Sequence, residues 1–310
     1  MFRKVIRLSR EWAISLFNAC CNPVCGYFLM LHRIGNIEPD RLGCIEELKV
    51  SMDYLQHFVD TNRSHYDYIS LDEAIFRIKN SGVHKRPFIC FTLDDGYLDN
   101  LTLGLSFFEK NDIPFAVFLA VDFVNNRPCF NWPFALERMI TANDYLVVNG
   151  QMYSCTSREQ KEFAFRSLKS LVLSFDYIDF ENTFRTCFAD YLTDDCSEDI
   201  MLQWKDVRHL AESPLCTIGS HTMSHCRLSS VPLESLYYEL RMSKTLIEKE
   251  IGLEVRYLSY PFGWKTDVSE QVFAVAKEVG YTAAFISWGG AVRKYDDNLF
   301  CIKRQMLFEE

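Results

Sequence analysis

The stretch 87–96, PFICFTLDDG, constrains the fold more than any other part of the sequence. Its apolar run begins at Phe88 and is bounded by a proline and by acidic residues, a pattern that predicts a short buried strand. Asp94 and Asp95 follow where the strand ends, and Gly96 gives the backbone freedom to turn. In α/β folds the carboxyl ends of the strands carry the chemistry. Adjacent carboxylates repel each other, so the pair indicates a site with a cation or a proton; a turn that caps the next helix is the alternative.

Strand and helix patterns alternate along most of the chain. Short apolar runs predict further strands over 26–34, 66–69, 114–121, 215–219, 255–260 and 281–287. Apolar residues at helical spacing predict helices over 46–60, 70–78, 101–110, 204–211, 233–251 and 269–279. Strands that alternate with helices at this spacing are typical of parallel βαβ units, so the fold class is α/β.

The pattern changes between about residues 125 and 200. A helix is predicted from Trp132 to Ile140, then a hairpin over 145–153, then two helical stretches. The segment 176–199 is rich in acidic residues, which predicts a solvated helical surface. We interpret 125–200 as an insertion that covers one side of the site mouth and influences substrate choice.

Composition excludes several classes of protein. The chain has 310 residues, 48% of them hydrophobic, so it can bury a sizeable core, and we expect one domain over 1–310. A net charge of -9 argues against binding to nucleic acid or to anionic membranes. The 12 cysteines form no C-x-x-C pair, which excludes zinc ribbons and thioredoxin-like motifs. This number of free thiols in a long chain favours a cytoplasmic location.

The N-terminus carries a competing pattern. Four basic residues among the first ten precede an uncharged run over 12–31, long enough to span a bilayer. Asn18, Asn22 and Pro23 interrupt the run, so we expect an amphipathic helix over about 3–19, followed by a turn and a strand. A signal peptide or a membrane anchor is the alternative.

A second chemical motif lies at SHTMSH, where His221 and His225 are four residues apart. Two imidazoles at this spacing can face the same way on a helical turn and bind one metal ion, given an acidic partner elsewhere. No glutamate follows His221, so the HExxH pattern of metalloproteases is absent. The pair therefore favours a metal site over two structural histidines.

Together, FTLDDG and SHTMSH resemble the first two motifs of the polysaccharide deacetylases, the NodB-homology carbohydrate esterases. SYPFG, from Ser259 to Gly263, resembles the third motif, and the resemblance extends over about 27–304. It implies a distorted (β/α)7-type barrel with the mid-chain insertion, and a site at the carboxyl ends of the strands. The implied activity is metal-dependent removal of N-acetyl groups from the amino sugars of a glycan or a glycan precursor.

The resemblance also implies roles for individual residues. Asp95, His221 and His225 would hold a divalent ion, with Zn²⁺ best suited to these ligands and Co²⁺ or Ni²⁺ also compatible. Asp94 would then act as the base. A permuted branch of the family carries a strand that ends in histidine ahead of the Asp-Asp motif, which makes His32 the candidate general acid.

The third motif would supply the substrate-binding loop, formed by Tyr260, Pro261, Phe262 and Gly263. A backbone N–H near Phe262 would stabilise the oxyanion. The aromatic side chains of this loop would stack on a sugar or, with equal weight, pack in the core.

Two departures from the family pattern leave alternatives open. Ser259 stands where the third motif has an arginine that orients the catalytic aspartate, and Arg304 or Arg256 would have to replace it. The ISWGG segment near Trp288 carries no fourth-motif acid. A saccharide O-acetyl esterase, a small-amide hydrolase and a carbohydrate-binding relative without turnover are therefore the rival functions, although the presence of Asp94 favours catalysis.

Overall fold

The computed structural model describes residues 23–38, 41–42, 46–80, 86–125, 132–192, 200–294, 296 and 298–309. Its strands are β1 Val24–Leu31, β2 Arg33–Ile34, β3 Lys49–Val50, β4 Asp67–Tyr68, β5 Phe88–Leu93, β6 Phe115–Leu119, β7 Tyr145–Val148, β8 Gln151–Ser154, β9 Cys216–Ser220, β10 Tyr257–Ser259, β11 Ala283–Gly289, β12 Val292–Arg293 and β13 Ile302–Met306.

Seven of these strands close into a parallel barrel in the order β1-β5-β6-β9-β10-β11-β13. The barrel closes because β1 pairs in parallel with β5 on one side and with β13 on the other. β4 extends the sheet beside the first residues of β5, and β12 runs antiparallel to β1. The predicted (β/α)7 barrel is confirmed. The sequence patterns did not indicate β13, the strand that completes it.

The helices surround this barrel. They are α1 Met52–Asn62, α2 Leu71–Asn80, α3 Ser106–Asn111, α4 Val121–Val124, α5 Trp132–Ala142, α6 Arg158–Val172, α7 Phe180–Cys187, α8 Trp204–Glu212, α9 Leu233–Ile251 and α10 Glu270–Val279. The helix predicted over 101–110 begins as a π-helical segment, Asn100–Leu105, and continues as α3.

β6 is apolar throughout, and β5 is apolar apart from Thr92, because both faces of these strands are buried. Side chains along β5 alternate between two clusters: Phe88 belongs to the cluster inside the barrel, and Ile89 belongs to the cluster under the helices. Aromatic rings fill the interior, where Phe28 lies 5.0 Å from Phe285 and 5.3 Å from Phe88. This apolar filling leaves the carboxyl ends of the strands as the place for polar chemistry.

The insertion consists of α5, the β7–β8 hairpin, α6 and α7, whose hydrophobic cluster also takes in Tyr97, Ala120 and Phe123 from the barrel side. Asn149 and Gly150 have φ angles of 51° and 76° and form the predicted hairpin turn. After the insertion the chain returns to the barrel, where Met201 bridges to Tyr97 and the Leu202 N–H donates to the Gly96 carbonyl at 2.9 Å. The insertion therefore ends beside the Asp-Asp turn.

The helix predicted over 3–19 lies outside the described residues. No helix in the described part of the chain is both long and apolar enough to cross a bilayer.

Candidate active site

The two adjacent aspartates sit at the carboxyl end of β5, where the chain turns sharply. The Asp94 N–H still donates to the Leu31 carbonyl of the neighbouring strand, at 2.9 Å. Asp95 and Gly96 then take left-handed conformations, with φ angles of 75° and 86°. Such a conformation is uncommon for a residue with a side chain. The turn separates the carboxylates, which face different partners.

Asp94 is paired with Arg304, which comes from β13. The guanidinium donates to both carboxylate oxygens, at 2.8 and 2.7 Å, and both side chains are almost fully buried. Burial raises the pKa of Asp94, but the charges of Arg304 and His221 together with the hydrogen bonds from Arg304 outweigh it and leave the pKa below its usual value. Arg256, the other candidate orienter, instead pairs with Asp72.

Ser259 completes this arrangement. Its hydroxyl donates to Asp94 Oδ2 at 3.1 Å and accepts from Arg304 at 2.8 Å. The guanidinium also donates to Thr92 Oγ1 and to the Ile286 carbonyl. The small serine thus stands at the position where the resemblance to the third motif implied an arginine, and a guanidinium reaches Asp94 from a different strand, β13.

Asp95 lies with the two histidines of the second motif. Its Oδ1 atom is 3.4 Å from His221 Nε2 and 3.3 Å from His225 Nε2. The three ligand atoms lie within 4.8 Å of one another, and Oδ1 is buried with no hydrogen-bond partner among the described residues. Two ligand atoms that each lie about 2 Å from a tetrahedral ion are about 3.3 Å apart. Oδ1 lies at this separation from each nitrogen, and an ion there would satisfy it, so these residues fit a divalent metal.

The histidines are held by different contacts. His221 Nδ1 is 2.7 Å from the Ser259 carbonyl, a contact that turns Nε2 towards Asp95. The His225 ring lies between Phe123 and Phe262, with ring centroids 5.4 and 4.9 Å away. Burial lowers the pKa of His221, but the charges of Asp94 and Asp95 leave it raised.

The prediction that this pair lies on a helical turn is wrong. The chain from His221 to His225 is a loop in which Thr222 and His225 have φ angles of 71° and 55°. The left-handed conformations of Thr222 and of His225 itself bring the two imidazoles together, so helical periodicity plays no part in their geometry.

His32 ends β1 at the same end of the barrel. Its Nδ1 atom is buried and has no hydrogen-bond partner among the described residues. Burial lowers its pKa, against the raising effects of the Asp95 and Asp94 charges. The neutral imidazole is therefore the resting form at neutral pH, whereas a general acid has to carry a proton.

The loop of the third motif splits into buried and exposed parts. Tyr260 is 1% exposed and its hydroxyl donates to the Phe300 carbonyl, so its ring packs in the core and does not reach a sugar. Pro261 is buried as well, and Phe262 contacts His225. At Gly263, with a φ of 64°, a Cβ would lie 2.7 Å from the Ser287 nitrogen, so only glycine allows this close approach.

A cleft of 410 Å³ opens beside His225. One wall is formed by the loop residues Met223, His225 and Arg227 together with Phe262. The insertion forms the facing wall, with Leu173, Phe175, Tyr177, Ile178, Phe180 and Glu181. The insertion therefore borders the candidate site, as the change in sequence pattern suggested.

Sequence reasoning missed Glu239, a buried carboxylate of α9. It accepts from the backbone N–H groups of Met223 and Ser224 at 2.9 and 3.0 Å, within the histidine loop. Its position in the sequence could have identified it as buried, because Leu236, Glu239 and Leu240 share the buried face of an amphipathic helix. A carboxylate on an apolar face needs a polar partner.

Known proteins share this architecture. The Streptococcus pyogenes deacetylase PplD in complex with acetate superposes with a TM-score of 0.61 and 14% identity, covering 92% of this chain and 93% of that one. The BpsB deacetylase domain from Bordetella bronchiseptica gives a TM-score of 0.55 at 15% identity, over 91% and 95% of the chains. IcaB from Ammonifex degensii gives 0.56 at 14% identity, over 91% and 92%. At these identities the structures are evidence for the fold alone.

No curated protein matches the chain. The sequence model of one family does match, over residues 81–284, a span that begins before β5 and ends within β11. This span contains the Asp-Asp turn, the histidine loop and the third-motif loop. On this match the chain belongs to the polysaccharide deacetylase family.

Proposed function

We propose that this polysaccharide deacetylase is a metal-dependent hydrolase that removes N-acetyl groups from the amino sugars of a glycan or a glycan precursor. The observation that carries the proposal is the position of Asp95 Oδ1, buried between His221 Nε2 and His225 Nε2. An ion held by these three residues would meet the need of that oxygen for a partner. Imidazole and carboxylate ligands favour Zn²⁺, and Co²⁺ or Ni²⁺ suits the same set.

When bound, such an ion polarises the amide carbonyl and acidifies water. Asp94 takes the proton of the attacking water. Its low pKa keeps it ionised, and Oδ1 accepts only from Arg304 among the described residues, which leaves a lone pair on that oxygen. Arg304 and Ser259 fix the plane of the carboxylate, so Asp94 needs no reorientation during the reaction.

His32 handles the proton of the leaving group. Because its resting form is neutral, we propose that the imidazole takes up a solvent proton during the reaction and passes it to the departing amine, while Asp94 returns the proton of the attacking water to solvent. Substitution His32→Gln is then expected to slow turnover by about 10²-fold and to leave metal uptake unchanged. A normal rate for His32→Gln would remove this residue from the mechanism.

The cleft beside His225 is where we place the glycan. Phe262 on one wall and the aromatic side chains of the insertion on the other offer flat apolar faces to sugar rings. Trp264 is 61% exposed and adds a further face beside the same loop. The insertion thus determines which glycan fits.

An acetate-release assay on N-acetylglucosamine oligomers tests the proposal. Chelated wild type, wild type restored with Zn²⁺, Asp94→Asn and His221→Ala are compared, with an O-acetylated saccharide and a small non-sugar amide as further substrates. We expect release only from restored wild type, and a loss of about 10²- to 10⁴-fold in Asp94→Asn. Release that survives both substitutions would overturn the mechanism. Preference for the O-acetyl ester or the small amide would replace the N-acetyl assignment, and metal-loaded protein inactive on every substrate would indicate a binding protein.

A further inference from the structure

Glu239 is a buried carboxylate for which the proposed reaction has no use. It is 1% exposed, and its two oxygens accept four hydrogen bonds. Oε2 accepts from the N–H groups of Met223 and Ser224 at 2.9 and 3.0 Å, and Oε1 accepts from the hydroxyls of Ser224 and Tyr177, both at 2.7 Å. Four donors match the acceptor capacity of a carboxylate. These four hydrogen bonds account for the burial of a carboxylate that has no ion-pair partner among the described residues.

The loop that Glu239 holds is strained. Thr222 and His225 both have positive φ angles, and for a β-branched residue such as Thr222 that conformation is an outlier. Such conformations persist only where the surrounding structure dictates them. Glu239 binds the two residues that lie between the strained ones, so its carboxylate fixes the path of the chain from His221 to His225.

Tyr177 brings the insertion into this contact. It lies between α6 and α7 and lines the cleft together with Glu239 and His225. Burial, followed by the charge of Glu239, raises the pKa of Tyr177, so its hydroxyl keeps the proton that it donates. A segment that sequence analysis assigned to substrate choice thus also supports the loop that carries two candidate metal ligands.

We propose that Glu239 and Tyr177 are positioning residues that set the place of His225 relative to Asp95, so that the insertion helps to determine the metal affinity of the site. The inference rests on the proposed function, since it assumes an ion at Asp95, His221 and His225. It goes further in that it ties the insertion to the metal centre through one carboxylate.

Metal binding by the purified full chain tests the proposal without any need for turnover. Chelated wild type, Glu239→Gln and Tyr177→Phe are titrated with Zn²⁺ against a chromophoric chelator and with Co²⁺, whose visible absorption reports ligand geometry. Glu239→Gln replaces one carboxylate oxygen by an NH₂ group, so whichever way the amide turns, two of the four donors lose their acceptor and the negative charge is gone. We therefore expect affinity to fall by about 10- to 100-fold and the Co²⁺ spectrum to change. Tyr177→Phe removes one of four hydrogen bonds, and a loss of roughly 3- to 10-fold is expected.

Two matched controls separate positioning from general stability. Tyr191→Phe removes a hydroxyl that accepts from the Val147 N–H inside the insertion, and Glu248→Gln alters a carboxylate of α9 that accepts from the Val255 N–H. Neither residue contacts the histidine loop, so both variants should bind Zn²⁺ and Co²⁺ as wild type does. Thermal unfolding of the metal-free proteins shows the stability cost of each substitution separately.

Wild-type affinity and an unchanged Co²⁺ spectrum in both Glu239→Gln and Tyr177→Phe would overturn the proposal, whatever their melting temperatures. Should Glu239→Gln fail to fold, Tyr177→Phe alone decides by the same comparison with Tyr191→Phe. Failure of the proposed function would give a different result. Wild type itself would then bind neither Zn²⁺ nor Co²⁺, and the positioning proposal would fail as well.

Discussion

The two ends of the barrel each hold an aspartate with an arginine and a hydroxyl, in opposite surroundings. At the carboxyl end Asp94 meets Arg304 and the Ser259 hydroxyl, with the ion-paired side chains 3% and 0% exposed. At the amino end Asp72 pairs with Arg256, and their side chains are 50% and 39% exposed, respectively. Asp72 also accepts a hydrogen bond from the hydroxyl of Tyr257, the residue that follows Arg256. The same three groups, a carboxylate, a guanidinium and a hydroxyl, thus form one buried cluster and one solvent-exposed cluster.

The difference shows what each cluster can do. Water screens the outer pair, so it contributes little to stability and leaves both side chains free to move. In the buried pair each charge depends on the other, because removal of either partner would leave an unpaired charge in the barrel. Only the buried cluster can hold a carboxylate ionised and in a fixed orientation, and it lies at the end that carries the candidate metal ligands.

The largest expected effect is that of Arg304→Met. The substitution keeps apolar bulk but leaves the Asp94 carboxylate buried without its cation, so we expect a loss of about 3–5 kcal/mol in the free energy of unfolding. Urea unfolding of the metal-free protein at pH 7 measures it. If Arg256→Met lowers the free energy of unfolding as much as Arg304→Met does, the two ends of the barrel do not differ in the way proposed here.

The pH dependence of that loss sharpens the comparison. In wild type the pKa of Asp94 lies below its ordinary value of 3.8, so its contribution to stability is present above pH 3.8 and is lost as the pH falls through the folded-state pKa. In Arg304→Met burial acts without the guanidinium and raises the pKa, so the destabilisation is relieved as the pH falls through that raised value. The difference between the two proteins should shrink on acidification, by about 1.4 kcal/mol per pH unit for one proton.

Urea titrations of both metal-free proteins between pH 7 and pH 4 give this difference directly. Groups that titrate in the same way in both proteins cancel in the subtraction. A difference that is constant, or that grows towards pH 4, would mean that Asp94 is not the group left unpaired.

Removal of the Ser259 or the Tyr257 hydroxyl tests the same difference between the two ends with smaller expected effects on stability. Ser259→Ala leaves the Asp94–Arg304 pair in place but removes a hydrogen bond from each, and we expect a loss of about 1.5–3 kcal/mol because both partners are charged. Tyr257→Phe removes the hydroxyl that donates to Asp72, in a part-buried position, and about 0.5–1 kcal/mol is expected. Equal losses in the two variants, measured by urea unfolding, would show that burial does not separate the ends.

Sequence patterns were sufficient to predict the fold class because several barrel strands, above all β5 and β6, are recognisable in the sequence as short apolar runs. They were insufficient for β13, where Lys303 and Arg304 interrupt the apolar pattern. Arg304 gives a poor strand signal because a charged residue buried inside a barrel cannot be told from a surface residue by sequence alone.

The site shows a similar division. The spacing of His221 and His225 indicated a ligand pair. The positive φ angles of Thr222 and His225, which bring the two rings together, correspond to no helical or strand periodicity in the sequence. Tyr260 was assigned to the substrate because it adjoins the third motif, whereas its place in the strand alternation turns it into the core. Contacts between distant segments, such as Tyr177 with Glu239, depend on the folded path of the insertion and leave no local trace in the sequence.

The smallest expected effect is that of Arg256→Met, which sets the scale for the others. The guanidinium lies 2.6 Å from Asp72 in an exposed position, and its carbon lies 5.4 Å from the centroid of the Tyr257 ring, where a methionine side chain offers apolar cover instead. We expect a loss of about 0.2–1 kcal/mol and an unchanged rate of acetate release. A large loss of activity with normal stability would be the more instructive failure. It would mean that the amino end of β10 transmits its position to Ser259, three residues away at the carboxyl end of the same short strand, and that the two clusters are coupled through it.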